Sequence, residues 1–224
     1  MLEGVVFDLD GVIANSAEYH YLAWKRLTDE LGLPFDRTLN ENLKGVSRME
    51  SLGIILSNAG LTLDRAEREK LADRKNEYFR EMVETITPDD LLPGISELFT
   101  ELRAHGKKIA IASVSHNVWR IVDRLGIAPL VDAIVDPASL VKGKPDPEIF
   151  LRAAEMIDVP VINCAGVEDA RAGIEAIKAQ GMFAVGVGPD LNDADWRVDD
   201  TSALTYDALA ERFSRPRGAA AAAH

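Results

Sequence analysis

The stretch Val5-Val6-Phe7-Asp8-Leu9-Asp10-Gly11-Val12 reads as a short apolar strand that delivers two carboxylates into a glycine turn. Side chains two residues apart on an extended backbone point to the same side. Asp8 and Asp10 are therefore expected to face one pocket while Leu9 faces the core. Two acids held together are costly unless a cation sits between them or they share a proton. On its own the pair is consistent with metal binding or with a solvated turn, and the rest of the chain has to separate those readings.

Working outward, Asn15-Ser16-Ala17-Glu18 follows, with Asn15 placed to cap a helix and Glu18 in its first turn. Apolar residues at three- and four-residue spacing predict helices near 17–31, 47–58 and 64–84, the last opening on Asp64 with Glu67 three residues later. No strand pattern occurs in this stretch, which runs to about Ile86. From Pro93-Gly94 the character changes. Strands are expected at 108–113, 133–135, 161–167 and 183–187, alternating with helices near 95–105, 117–125, 147–157 and 169–180. That alternation predicts an α/β fold, a Rossmann-like doubly wound parallel sheet. The sheet is interrupted after its first strand by a helical-bundle cap. The expected division is a core of residues 1–14 and 93–216, a cap of residues 15–92, and an alanine-rich, low-complexity tail at 217–224 that is assigned no function.

Composition narrows the class. The 224 residues carry a formal net charge of −12, which argues against nucleic acid or an anionic membrane as the main partner. The same charge sets a constraint: a phosphorylated substrate needs local cations or a metal to overcome the global field. No apolar run approaches the roughly 20 residues of a membrane helix. The start lacks a charged segment followed by an apolar one, so secretion is not expected. Cys164 is the only cysteine, which excludes an intramolecular disulfide, suits a reducing cytosol and reads as core filler.

Ligands of open α/β sheets bind outside the carboxyl ends of the strands. Three predicted strand ends carry polar chemistry: Asp8 with Asp10, then Ser113-Val114-Ser115-His116-Asn117, then Glu168-Asp169. Between the last two lies the basic loop Lys142-Gly143-Lys144-Pro145-Asp146-Pro147. Hydroxyls and N–H groups suit an anion, a lysine adds charge, and carboxylates supply the oxygen ligands that Mg²⁺ prefers. Each piece alone is weak, but in this order the pieces describe a site for phosphate and a divalent ion.

With those residues in hand, the chain resembles the haloacid dehalogenase superfamily of phosphotransferases, whose signatures match Asp8-Leu9-Asp10-Gly11-Val12, Ser113, Lys144 and Glu168-Asp169. Within it the chain is most similar to the β-phosphoglucomutase family. The matching segments are Ala17-Glu18-Tyr19-His20, Ala23-Trp24-Lys25, Leu43-Lys44-Gly45-Val46-Ser47-Arg48, Ser51-Leu52, Arg74-Lys75-Asn76 and Lys144-Pro145-Asp146-Pro147. The resemblance covers the chain to about residue 190.

The resemblance implies an Mg²⁺-dependent cytoplasmic enzyme interconverting β-D-glucose 1-phosphate and D-glucose 6-phosphate through an aspartyl-phosphate and a sugar bisphosphate. Asp8 would be the nucleophile and a phosphoprotein site, with Ser113 and Lys144 orienting and neutralising the phosphoryl group. Asp10 would be general acid and base. Mg²⁺ would be held by the Asp8 carboxylate, the Asp10 carbonyl, Asp169 and Glu168, the last either on the ion or one step behind it. Arg48, Ser115 and Asn117 would hold the distal phosphate, and His20 with Lys75 would link cap closure to the placement of Asp10. Lys44, Gly45, Val46, Ser51, Val114 and His116 complete the implied substrate site. Trp24 is read as cap packing that also stands at the sugar pocket. His116 departs from the lysine or arginine common in the family, and a neutral imidazole supplies less charge. The phosphorylated sugar and the bisphosphate are the expected partners, with no nucleic acid, no membrane and a monomeric chain. The alternative function is a phosphatase of the same architecture acting on a small sugar phosphate.

Overall fold

The computed structural model describes residues 1–215. The tail assigned to 217–224, and residue 216 of the expected core, lie outside them. A six-stranded sheet runs in the order β3-β2-β1-β4-β5-β6, with every neighbouring pair parallel. Its strands are β1 (Gly4–Phe7), β2 (Lys108–Ile111), β3 (Ala133–Ile134), β4 (Cys164–Glu168), β5 (Phe183–Val187) and β6 (Trp196–Val198). The central strands are buried along their length because helices cover both faces, which is why they read as unbroken apolar runs.

Alternation along each strand separates two cores. Val5, Phe7, Ile109, Ile111, Val167 and Val185 pack in one. Val6, Ala110, Ala112, Cys164 and Ala184 pack in the other, with side chains of α7 (Glu148–Met156) and α8 (Arg171–Ala179). Small residues on this second face let the helices come close. A Cβ on Gly166 would lie 2.7 Å from Ile177. On the first face pack α5 (Ile95–Ala104), α6 (Val118–Arg124) and α9 (Tyr206–Ser214).

Between β1 and β2 the chain makes α1 (Ser16–Leu31), α2 (Arg37–Glu41), α3 (Arg48–Asn58) and α4 (Arg65–Val83). Helices α1 and α4 form the principal contact of this insertion. Its inner face buries Trp24, Leu27, Phe79 and Val83, and its outer face is tied by Tyr78, whose hydroxyl donates to Glu30 at 2.8 Å. Helix α4 starts on a capping box of Asp64 and Glu67, as the sequence spacing predicts, and α3 starts on one of Ser47 and Glu50. The chain leaves and re-enters the sheet at one place. Leu92 N–H donates to Ile13 O at 2.9 Å, and Ala14 bridges Leu91.

Four local expectations change. Asn15 precedes α1 but its side chain makes no capping bond, and Glu18 turns outward to a bidentate pair with Arg37, both oxygens at 2.8 Å. The strand expected at 161–167 begins only at Cys164, because Val161–Asn163 forms a 3₁₀ turn after Pro160. The strand expected at 108–113 ends at Ile111, which leaves Ser113 in the loop. Strand β6 and helix α9 lie beyond the last element the pattern had marked.

Candidate active site

The strand order reverses between β1 and β4, where the crossovers diverge to opposite sides and leave a crevice at the carboxyl edge. Register fixes what lines it. Phe7 pairs with Ile111 on one side and Val167 on the other, so Asp8 and Glu168 emerge level with each other and Ser113 lies just past the end of β2.

Lys144 reaches under this edge with its side chain fully buried. Its Nζ donates to Asp8 Oδ1 and to Glu168 Oε1, each at 2.6 Å. The other oxygen of Glu168 accepts from Ala170 N at 2.7 Å. Asp8 Oδ2 accepts from the amide of Asp10 at 3.0 Å. Burial drives the Asp8 carboxyl well above the usual carboxylate range; Lys144 opposes that, and Glu168, Asp10 and Asp169 add to it. Asp169 is pushed up to about 7, first by burial and then by Glu168. Lys144, despite its burial, is held above the ordinary lysine value by Asp8 and Glu168. A buried ammonium between two carboxylates holds its proton.

Oxygens of Asp8, Glu168 and Asp169 lie within 4.8 Å of one another. The backbone makes room for them. Gly11, at φ +85°, has its Cβ position 2.5 Å from Asp169 Oδ2, and a Cβ on Gly173 would fall 1.9 Å from Glu168 Oε1. An all-oxygen, carboxylate-rich donor set suits a hard divalent cation such as Mg²⁺.

The two acids of the opening motif part company. The Asp10 side chain leaves the cluster and accepts from Ser16 Oγ at 2.6 Å, and its Oδ2 faces His20 Nε2 at 3.6 Å. Lys75, with 2 % of its surface exposed, places Nζ 2.7 Å from His20 Nδ1 and 5.0 Å from the centre of the Trp24 ring. Burial lowers Lys75 to about 7 and lowers His20 as well, Lys75 adding to the effect. A protonated Lys75 donating to Nδ1 leaves the hydrogen of a neutral His20 on Nε2, directed at Asp10. Burial alone would raise Asp10, but His20, Ser16 and Lys75 hold it below the ordinary carboxylate value.

Above these groups a cleft opens between the sheet edge and the insertion. Fifteen of the sequence-predicted residues line it. Asp8, Asp10 and Asp169 form its floor; His20, Trp24, Lys44, Gly45, Val46, Arg48, Ser51 and Lys75 come from the insertion; Val114, Ser115, His116 and Asn117 come from the loop after β2. The other three, Ser113, Lys144 and Glu168, are buried beneath. Ser113 Oγ accepts from Ser115 N at 3.1 Å and so shapes that loop. Arg48 is half-buried, its Nη1 is enclosed without a partner, and Nη2 only approaches Asp73 at 3.8 Å. Lys44 sits 3.7 Å from Asp169.

Sequence reasoning left out Asn40 and Asn76, which also line the cleft. Asn76 accepts a hydrogen bond from Asn117 Nδ2 at 2.9 Å, across from insertion to core. Its neighbour Lys75 was a signal for it. Asn40 lies in the five-residue α2, too short to show a period.

The chain is similar to known proteins along nearly its whole length. The family model of haloacid dehalogenase-like hydrolases matches residues 2–181. A β-phosphoglucomutase of Bacillus subtilis is 49% identical over 220 residues, 96% of this chain and 97% of that protein. A crystal structure of β-phosphoglucomutase from Clostridium difficile superposes with a TM-score of 0.91 at 41% identity, covering 95% of this chain and 97% of that one. A phosphorylated carbohydrates phosphatase of Thermotoga maritima is 27% identical, with 86% of this chain and 88% of that protein covered. On the family model and these near full-length likenesses, the chain belongs to the haloacid dehalogenase-like hydrolase family.

Proposed function

We propose that the protein is a β-phosphoglucomutase, interconverting β-D-glucose 1-phosphate and D-glucose 6-phosphate through an aspartyl-phosphate at Asp8 and β-D-glucose 1,6-bisphosphate. The observation that carries the reading is the cleft's two anion-seeking ends. One is the Asp8–Lys144 floor, and the other is the partnerless Nη1 of Arg48 together with Ser115 and Asn117. A mutase has to hold a sugar by one phosphate while the other reacts. A fixed guanidinium fork suits that grip.

In this reading Asp8 attacks phosphorus and carries the phosphoryl group, while Lys144 offsets negative charge on the transferring oxygens. Asp10, ionised in the geometry described, takes the proton of the attacking sugar hydroxyl and returns it to the leaving sugar oxygen in the reverse direction. Ser16 and His20 hold its carboxylate on the insertion side, where that hydroxyl enters. Asp8, Glu168 and Asp169, with the Asp10 carbonyl, would hold Mg²⁺, whose charge would reduce the repulsion between the anionic nucleophile and the phosphate. Trp24, Val46 and Val114 give the sugar ring an apolar wall and keep water from the acyl phosphate.

The helical segment 15–92 serves as a cap over a core of residues 1–14 and 93–216. A monomer working in the cytoplasm on phosphorylated sugars completes the proposal, and the lone buried thiol of Cys164 suits that setting. Among the described residues no helix is long and apolar enough to cross a membrane.

The test is formation of glucose 6-phosphate from β-glucose 1-phosphate with Mg²⁺ and a trace of bisphosphate, with released phosphate measured in parallel. Isomerisation in excess of phosphate release is expected. Phosphate release without isomerisation would overturn the reading in favour of a phosphatase.

A further inference from the structure

Helix α6 belongs to the core, yet both of its ends hold the insertion. At its start, Asn117 Nδ2 donates to Asn76 Oδ1 of α4 at 2.9 Å. At its finish, Arg124 Nε donates to Ile86 O at 3.1 Å, and the same guanidinium donates to Glu84 O. Arg120 pairs with the Glu84 carboxylate, which Arg124 Nη1 also faces at 3.6 Å. The last carbonyls of a helix lack partners within it and carry its negative pole. Glu84 is the residue that ends α4. Arg124 of the core thus caps a helix of the insertion, and Arg120 pairs with the side chain of the same Glu84, where the chain turns back toward the sheet.

The two attachments are not equivalent. Residues 76 and 84 are about 12 Å apart along α4 at 1.5 Å per residue. The Arg124 contacts sit on the returning linker, and the Asn76 contact sits at the cleft. The loop that opens α6 is also the one that presents Ser115, His116 and Asn117 to the cleft.

From this we infer that Arg124, remote from the cleft, is a positioning residue: it fixes α4 to α6 at a pivot, so that the Asn76–Asn117 bond forms in only one closed geometry and sets Arg48 and Lys75 opposite Ser115 and Asn117. An asparagine amide has two N–H groups. With one given to Asn76, the second is aimed by that bond at whatever anion occupies the cleft.

The inference rests on the mutase reading for its assay, and the unmodified protein separates the two. Absence of isomerisation in it would sink the proposed function. With isomerisation present, Arg124→Met removes the fork and the charge while keeping much of the side-chain volume. Its kcat/KM for isomerisation is expected to fall about tenfold, the scale on which small misplacements act. Hydrolysis of p-nitrophenyl phosphate, which has no second phosphate to grip, is expected to stay within about twofold. Asn76→Ala is expected to lower isomerisation too, and the double variant to lose clearly less than the product of the single losses, because both break one coupled element. Arg124→Lys restores the charge without the fork and is expected to recover only part of the activity; it carries the cycle if Arg124→Met does not fold. Equal losses of both activities, or losses that multiply independently in the double variant, would overturn the pivot.

Discussion

Gly173→Ala puts the described packing to a sharp test, because its expected effect opposes helix propensity. In an ordinary helix the change stabilises by about 1 kcal/mol. Here the new methyl would stand 1.9 Å from Glu168 Oε1 and 2.1 Å from its carboxyl carbon. Neither partner has room to yield. Glu168 is fully buried, and its oxygens accept from Lys144 and from Ala170 N. Overpacking of this kind costs about 1–3 kcal/mol, and losing a hydrogen bond to a charged group about 1.5–3 kcal/mol. Set against the propensity gain of about 1 kcal/mol, the net is a loss of about 1.5–5 kcal/mol. For a chain of this size that lowers Tm by roughly 3–20 °C. Displacing Glu168 also frees one side of Lys144, so divalent-ion binding and turnover should both drop. Differential scanning calorimetry with and without Mg²⁺ reads the stability, and the coupled isomerisation assay reads the activity. A variant with unchanged or higher Tm and full turnover would refute the claim that Glu168 is wedged between α8 and Lys144.

Other outcomes follow from the same geometry. Asp8→Asn should abolish both isomerisation and phosphate release, because an amide cannot become an acyl phosphate; mass spectrometry after exposure to a phosphoryl donor should find no added phosphate. Arg48→Ala should cut isomerisation by at least tenfold while leaving p-nitrophenyl phosphate hydrolysis within about threefold, consistent with loss of one charge-assisted contact of about 1.5–3 kcal/mol. Lys75 gives a pH signature of definite sign. Its folded value of about 7 lies below the ordinary 10.5, so the unfolded chain binds this proton more tightly. Stability should therefore rise as pH increases between those values, by up to about 1.4 kcal/mol per pH unit. Urea midpoints at pH 7, 8.5 and 10 should show that rise in the native protein and a flatter profile in Lys75→Met.

Much of the fold is written locally. The apolar run before Asp8 and the alternation after Gly94 follow from burial on both faces of a parallel sheet, and the capping box at Asp64 follows from spacing alone. What the sequence obscured was set at long range. Val161–Asn163 carries β-favouring residues, but Pro160 and the register with β1 delay the strand to Cys164. Strand β6 is three residues long, too short for periodicity to register. At the site, the strand-end residues were legible because each sits at a break between apolar and polar sequence. The division between Asp8 and Asp10 came from the family resemblance and not from their spacing, because it depends on Ser16 and on His20 reaching back from α1. Arg124 was hidden, since its partners lie about 40 residues away in the chain, whereas Asn76 had only its neighbour Lys75 to mark it.

The meeting of Ala14 with Leu91 has a consequence for how this chain can change. All the residues between them enter and leave the sheet through a single doorway, one bridge wide. Selection or an engineer can therefore rewrite α1–α4, and with them the groups that recognise the substrate's far end, without shifting the register that sets Asp8, Lys144 and Glu168 together. Most of the groups around the sugar and the groups that form the aspartyl-phosphate are thus carried by different stretches of one gene, with Ser16 and His20 as the residues a graft must keep for Asp10. A graft of a foreign insertion between residues 14 and 91 should keep the capacity to form the aspartyl-phosphate while acquiring a different sugar.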